Sequence, residues 1–165
     1  MNEKTDVDAG KEGKQTAQTE DSFPDGVPFE SRLMYTEILL DYYRNPRCFG
    51  TIENYHVHAR DTNPSCGDVI EFFARVNRDK VITDIKFTGK GCAISQAAAS
   101  MLAEAMMGKN IDEIVKLDKK QMLDMIGIPI SMMRLKCALL GMKVLKVGVY
   151  QYLGKEVEED ESSTD

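Results

Sequence analysis

Apolar positions are distributed unevenly along this chain. Residues 1–32 hold almost none, residues 33–153 carry them with clear periods, and residues 154–165 are again polar. The pattern therefore predicts one domain over 33–153 between two disordered acidic tails, 1–32 and 154–165. Within the domain, Met34, Ile38 and Tyr42 recur at helical spacing, with Ser31 available as a cap. A helix over about 33–44 follows, ended by Asn45-Pro46 because proline disfavours helical backbone in the residue before it. Residues 52–59 alternate, with Tyr55, Val57 and Ala59 on one face and His56 and His58 on the other. The turn formers Asp61 to Asp68 then precede a strand over Val69–Val76. Asn77-Arg78-Asp79-Lys80 turns the chain into a third strand, with Val81, Thr83, Ile85 and Phe87 inward and Asp84 and Lys86 outward. Three strands with short links read as an antiparallel meander.

After Gly89-Lys90-Gly91 the period changes. Ala93–Met107, rich in Ala, Ser, Met and Leu, reads as a long buried helix with Gly108 as its C′ residue. Asn110 opens a short helix to about Lys116, and Asp118 opens another that stops at Gly127. Beyond Pro129, Ser131 is placed to cap a last helix through Leu135, Leu139, Met142, Val149 and Tyr152, with Cys137 near its start.

Composition changes this picture mainly through charge. The net charge of −6 comes from the tails: residues 1–32 carry 8 acidic and 4 basic side chains, and residues 154–165 carry 6 and 1. The remaining 13 acidic and 16 basic groups leave the body mildly cationic. No dense basic stripe supports nucleic-acid binding. No apolar run approaches the roughly 18 residues that span a membrane, and the N-terminus is too polar for a secretory signal. A cytoplasmic location is the expectation, and there four cysteines read as ligands, catalytic groups or buried small hydrophobes rather than disulfides.

Three of those cysteines sit beside turns, glycines or charges. Cys92 falls where a strand ends in glycines and a helix begins, so backbone N–H groups and the helix dipole favour its thiolate. Cys66 and Asp68 stand two apart across Gly67, which lets both side chains address one ion. The third strand of a hairpin ends beside the start of the second, returning Cys92 to Cys66 and Asp68. Cys137 joins them if the last helix lays its N-terminal end over the same sheet edge. Three thiolates and a carboxylate suit tetrahedral zinc or the outer ligands of a [2Fe–2S] cluster, and either occupant leaves about −2 of charge. Lys90, Arg134 and Lys136 are the neighbouring cations, Arg134 lying at i−3 from Cys137. Because a carboxylate is a harder and weaker ligand for a cluster than a fourth thiolate, the set reads as a transient site. Cys48 in its Asn-Pro-Arg-Cys-Phe-Gly loop reads as incidental, His56 and His58 as an exposed strand face, and the ten methionines as packing.

Asn63-Pro64-Ser65-Cys66-Gly67-Asp68, Gly89-Lys90-Gly91-Cys92-Ala93-Ile94-Ser95 and Arg134-Leu135-Lys136-Cys137-Ala138 together resemble the signature of the iron–sulfur cluster assembly scaffold family, of IscU, SufU and NifU N-terminal types. The stretch from Tyr35 to Arg47 is similar too. The resemblance implies an α+β fold, a three-stranded antiparallel sheet with helices packed on it. It implies Cys66, Asp68, Cys92 and Cys137 as ligands of a transient [2Fe–2S] cluster or of Zn2+, with a cysteine desulfurase as sulfur donor and apo iron–sulfur proteins as recipients. The alternative it carries is a zinc-dependent sulfurtransferase of SufU type, with Cys66, Cys92 or Cys137 accepting persulfide sulfur. A homodimer through Tyr35 is among the assemblies it implies. Two features depart from the family pattern. Lys136 stands where IscU types have histidine, and Ile128-Pro129-Ile130-Ser131 replaces their chaperone-recognition stretch. Arg134 and Lys136 look like the SufU type, but the insertion usual there between the last two cysteines is absent.

Overall fold

The computed structural model describes residues 26–154, so most of the two expected tails lies outside the described residues. The chain runs α1 (Phe29–Arg44), β1 (Val57–Asn63), β2 (Asp68–Val76), β3 (Ile82–Lys90), α2 (Ala93–Met106), α3 (Ile111–Lys116), α4 (Lys119–Ile126) and α5 (Leu135–Tyr152). This is an α+β fold in which the three strands form an antiparallel meander in the order β1-β2-β3. Strand period sets the inner face: Asp68, Ile70, Phe72, Ala74 and Val76 of β2 are all buried, as are Val57, Ala59 and Asn63 of β1 and Ile85 and Phe87 of β3. α5 packs on β1 and β2 and α2 on β3, so Leu102, Leu139 and Leu145 close the core over Phe72 and Phe87. Among the described residues no helix is long and apolar enough to cross a membrane.

Helix boundaries follow local chemistry where a cap or a glycine decides them. Asn110 accepts the Asp112 N–H, and Asp118 and Gln121 make a reciprocal capping box. Gly108 and Gly127 take the left-handed backbone beyond α2 and α4, at φ 78° and 77°.

Several expectations give way to the observed structure. α1 starts at Phe29, ahead of 33, with Pro28 as its N-cap, and Ser31 lies inside it. Its buried residue is Leu39, whereas Met34 and Ile38 are exposed, because α1 packs mainly against α2 and buries a narrow stripe. β1 begins at Val57 and runs through Asp61-Thr62 to Asn63. Pairing down to Asn63 opposite Asp68 overrides the turn preference of those residues, while Tyr55 precedes the strand and packs on His58 at 4.8 Å. In β3 the register shifts between Arg75 and Val76 of β2, which face Asp84 and Ile82; the extra residue is Thr83. That bulge turns Ile82 inward and Thr83 outward. Ser131 does not cap α5: its carbonyl accepts the Arg134 N–H at 3.0 Å, and Arg134 occupies the N-cap position.

Candidate metal centre

The site forms where three element ends meet: the β1–β2 turn, the β3–α2 turn and the first turn of α5. Asn63 and Asp68 face each other across the last rung of β1 and β2, leaving Pro64 to Gly67 as the connection. The Asn63 carbonyl accepts the N–H groups of Cys66 (3.3 Å) and Gly67 (2.8 Å), and Gly67 takes φ 70°. This tight turn leaves Cys66 exposed and Asp68 fully buried. On the other side of β2, Val69 pairs with Lys90, so the chain leaving β3 passes directly over Asp68. The Cys92 N–H donates to Asp68 Oδ1 at 2.8 Å. Cys92 is also the N-cap of α2, its Sγ accepting the Ser95 N–H at 3.5 Å.

The thiols converge on the other carboxylate oxygen and on each other. Cys66 Sγ lies 2.9 Å and Cys92 Sγ 3.6 Å from Asp68 Oδ2, and Cys66 Sγ and Cys137 Sγ are 3.1 Å apart. The ligand atoms of Cys66, Asp68 and Cys137 all lie within 4.8 Å of one another, and Cys92 is tied to them through Asp68. Burial alone would raise the Asp68 carboxyl, but the Cys66 thiol, the Cys92 N–H and the Cys137 and Cys92 thiols outweigh it and hold it below the ordinary carboxylate value. Cys137, buried in the first turn of α5, shows the opposite balance: burial, then the neighbouring Cys66 and Asp68, push its thiol far above the usual range.

The donor set fits a soft or borderline cation. A fully buried carboxylate among thiols, held by one backbone N–H, is a donor set whose charge a metal ion could meet. Cys66, Asp68, Cys92 and Cys137 are the residues that could hold zinc or bridge to iron.

Of the candidate neighbouring cations, Lys90, Arg134 and Lys136 are all exposed. Lys90 lines a cavity of about 260 Å³ with Tyr43, Pro46, Phe49, Gly89, Gly91 and Gln96. Lys136 lines a smaller one, about 150 Å³, with Asn63, Pro64, Ser65 and Lys143 among its walls. Cys48 stands apart from the site. Its backbone, at φ 59°, brings residues 48–50 alongside β3, with its carbonyl accepting the Phe87 N–H at 2.9 Å, and burial pushes its thiol up. His58 meets Glu71 at 2.6 Å and His56 Nδ1 accepts the Val76 N–H, so the two imidazoles have separate structural partners.

One polar residue of the site escaped the reading of the sequence. Asn63 falls within the run of turn formers, yet it is buried at 6% exposure and its side-chain amide donates to Cys137 Sγ at 3.7 Å. Its only sequence signal is the asparagine directly before the Pro64-Ser65-Cys66 turn.

The family model described as NifU-like N terminal domain matches residues 34–159. A relative named "Iron-sulfur cluster assembly scaffold protein IscU" from Aquifex aeolicus is 34% identical over 130 residues, covering 78% of this chain and 82% of the relative. The "Zinc-dependent sulfurtransferase SufU" of Bacillus subtilis is 34% identical over 133 residues, covering 70% and 89%. Among solved structures, an iron–sulfur cluster assembly scaffold protein for the SUF system from Fervidobacterium islandicum superposes with a TM-score of 0.62 at 32% identity, covering 72% of this chain and 98% of that one. A NifU-like N-terminal protein of Brucella abortus, 21% identical with a TM-score of 0.61 over 74% of this chain and 96% of that one, shares the fold.

Proposed function

The chain belongs to the NifU-like N-terminal domain family, that of iron–sulfur cluster assembly scaffolds, and on that premise we propose that it assembles a [2Fe–2S] unit and hands it on. In this reading a cysteine desulfurase supplies sulfur, iron and sulfide are the cargo, and apo iron–sulfur proteins receive the product. The observation that carries it is the meeting of Cys66, Asp68 and Cys137 within 4.8 Å, with Cys92 tied to the same carboxylate. Cys66, Asp68, Cys92 and Cys137 hold the cargo. Exposed Cys66 offers the way in and buried Cys137 the fixed anchor. The carboxylate makes the site lose its cargo more readily than four thiolates would. The location is cytoplasmic in this reading. The exposed apolar residues Phe29, Leu33, Met34 and Ile38 around Tyr35 on α1 support a homodimer.

A second reading is a zinc-dependent sulfurtransferase, with Zn2+ resident and Cys66, Cys92 or Cys137 taking persulfide sulfur. The similarity to SufU and the accessible Cys66 favour it. Alignment lengths weigh the other way. The IscU relative aligns over 130 positions using 78% of the chain, so nearly every aligned position is filled by a residue of this chain. The SufU alignment is longer yet uses only 70%, so a number of SufU residues have no counterpart here.

The deciding experiment is anaerobic reconstitution with iron, a cysteine desulfurase and free cysteine. A visible cluster spectrum that disappears with Cys66→Ser, Cys92→Ser or Cys137→Ser is expected. No spectrum, or one indifferent to all three substitutions, overturns the scaffold reading. Tightly held zinc in anaerobically isolated protein, together with strong desulfurase activation, replaces it with sulfur transfer.

A further inference from the structure

Asn63 makes contacts that a turn residue does not need. It ends β1 on the inner face of the sheet, opposite Asp68, and it is 6% exposed. Its backbone carbonyl takes the N–H groups of Cys66 and Gly67, and its side-chain Oδ1 takes the Ser65 N–H at 3.2 Å. With both oxygens engaged on the turn, the amide nitrogen is left pointing at the buried sulfur of Cys137, 3.7 Å away and on a different element. One residue thereby grips the turn that carries Cys66, sits across the ladder from Asp68 and donates to Cys137. A buried amide N–H costs free energy unless it finds an acceptor, and a thiolate sulfur is a better acceptor than a thiol.

We infer that Asn63 is a positioning residue for the metal centre, whose side-chain N–H donates to the Cys137 thiolate when the site is loaded and tempers its donation to the ion. The inference rests on the scaffold or zinc-site reading of these cysteines. Hydrogen bonds to ligating sulfurs withdraw electron density from them, which tunes reduction potential and fixes ligand orientation. Cys137 then differs from Cys66 in kind. The buried sulfur is held by Asn63 as the steady ligand, and the exposed one, carried by a four-residue turn, is the ligand that lets go.

Cobalt(II) bound in place of zinc tests this, read through its thiolate-to-cobalt charge-transfer band. Asn63→Asp keeps the size and the Oδ1 acceptor for the Ser65 N–H but removes the donor; Asn63→Ala removes both. A shift of the band to longer wavelength in both variants is the expected result, together with a lower reduction potential of the reconstituted cluster. A wild-type band that Asn63→Asp leaves in place, with only Asn63→Ala altered, reduces Asn63 to a turn residue and overturns the inference alone. Absence of any thiolate band in wild-type protein overturns the metal-site reading and this role with it. A measurement on unsubstituted protein keeps the test independent of how the variants fold. With cadmium bound, NMR should show scalar coupling between the metal and an Asn63 side-chain amide proton across Cys137 Sγ, and loss of that coupling from a fully loaded sample also overturns the inference.

Discussion

Gly91 and Asp68 occupy space that has no room for one more carbon. A Cβ added to Gly91 would fall on Asp68 Oδ1 and come within 2.7 Å of its Cγ, and Gly91 also takes φ 141°, where L side chains are strained. The glycine thus lets the chain cross Asp68 closely enough for the Cys92 N–H to reach the carboxylate. Gly91→Ala is expected to push the carboxylate out of the site and lower zinc affinity at least tenfold. Gly67→Ala is the control, since its φ of 70° imposes strain while nothing lies within 4 Å of the added carbon. That variant should lose about 1 kcal/mol of stability with little change in metal affinity. Isothermal titration with zinc on both variants checks this, and equal losses would contradict it.

Removing the carboxylate should slow cargo release rather than abolish assembly. Asp68 is the sole oxygen donor among the four side chains, so Asp68→Ala removes the hard, weakly held ligand and leaves three thiols at the site. The expected result is a cluster that still forms anaerobically but transfers several-fold more slowly to an apo-ferredoxin. Faster transfer from the variant would defeat the lability argument.

The same groups set opposite limits on pH. Asp68 titrates lower in the folded chain than in the unfolded one, so its contribution is complete above the unfolded carboxyl value of about 3.9 and fades as pH falls through the folded value. Cys137 titrates higher when folded, because burial and its neighbours favour the neutral thiol. Its contribution is complete below the unfolded thiol value of about 8.5 and fades as pH rises beyond it. Metal-free protein should therefore show a urea midpoint that is flat from about pH 5 to 8 and falls on both sides. Zinc affinity should climb with pH across the neutral range, since binding expels the Cys137 proton. A midpoint still rising above about pH 9 would contradict the first expectation, and a pH-independent zinc affinity the second.

What the chain discloses in one dimension is uneven, for physical reasons. Helix ends set by local groups could be read directly, as at Asp118, Gly108 and Gly127. The return of Cys92 to Asp68 was equally legible, because hairpin register brings the end of one strand beside the start of the other. The buried stripe of α1 was not, since Met34 and Ile38 keep helical spacing whether or not anything covers them. Nor was the bulge at Thr83, which depends on how β3 is held against β2 rather than on its own alternation. Asn63 was hidden for a different reason. An asparagine before a proline carries the same local preference whether its side chain faces water or a sulfur from an element 74 residues away.

Two glycines in α5 should respond oppositely to the same change. A Cβ on Gly148 would meet Val57 Cγ1 at 2.9 Å and Ala59 Cβ at 3.4 Å, so this glycine sets how closely α5 approaches β1. A Cβ on Gly141 would meet Ala99 and the Phe72 ring at 3.4 to 3.6 Å, ordinary packing distances. Alanine is favoured over glycine in a helix interior by about 1 kcal/mol at either site. At Gly148 overpacking of about 1–3 kcal/mol opposes that gain, and the valine is itself fully buried and cannot move aside. Gly148→Ala should therefore destabilise the fold by up to about 2 kcal/mol, while Gly141→Ala should be neutral or stabilising by up to about 1 kcal/mol. Urea denaturation of the two variants measures both. Because α5 carries Cys137 at its other end, Gly148→Ala should also weaken zinc binding, and a variant that kept full affinity would show that α5 adjusts locally instead of shifting as a rigid rod.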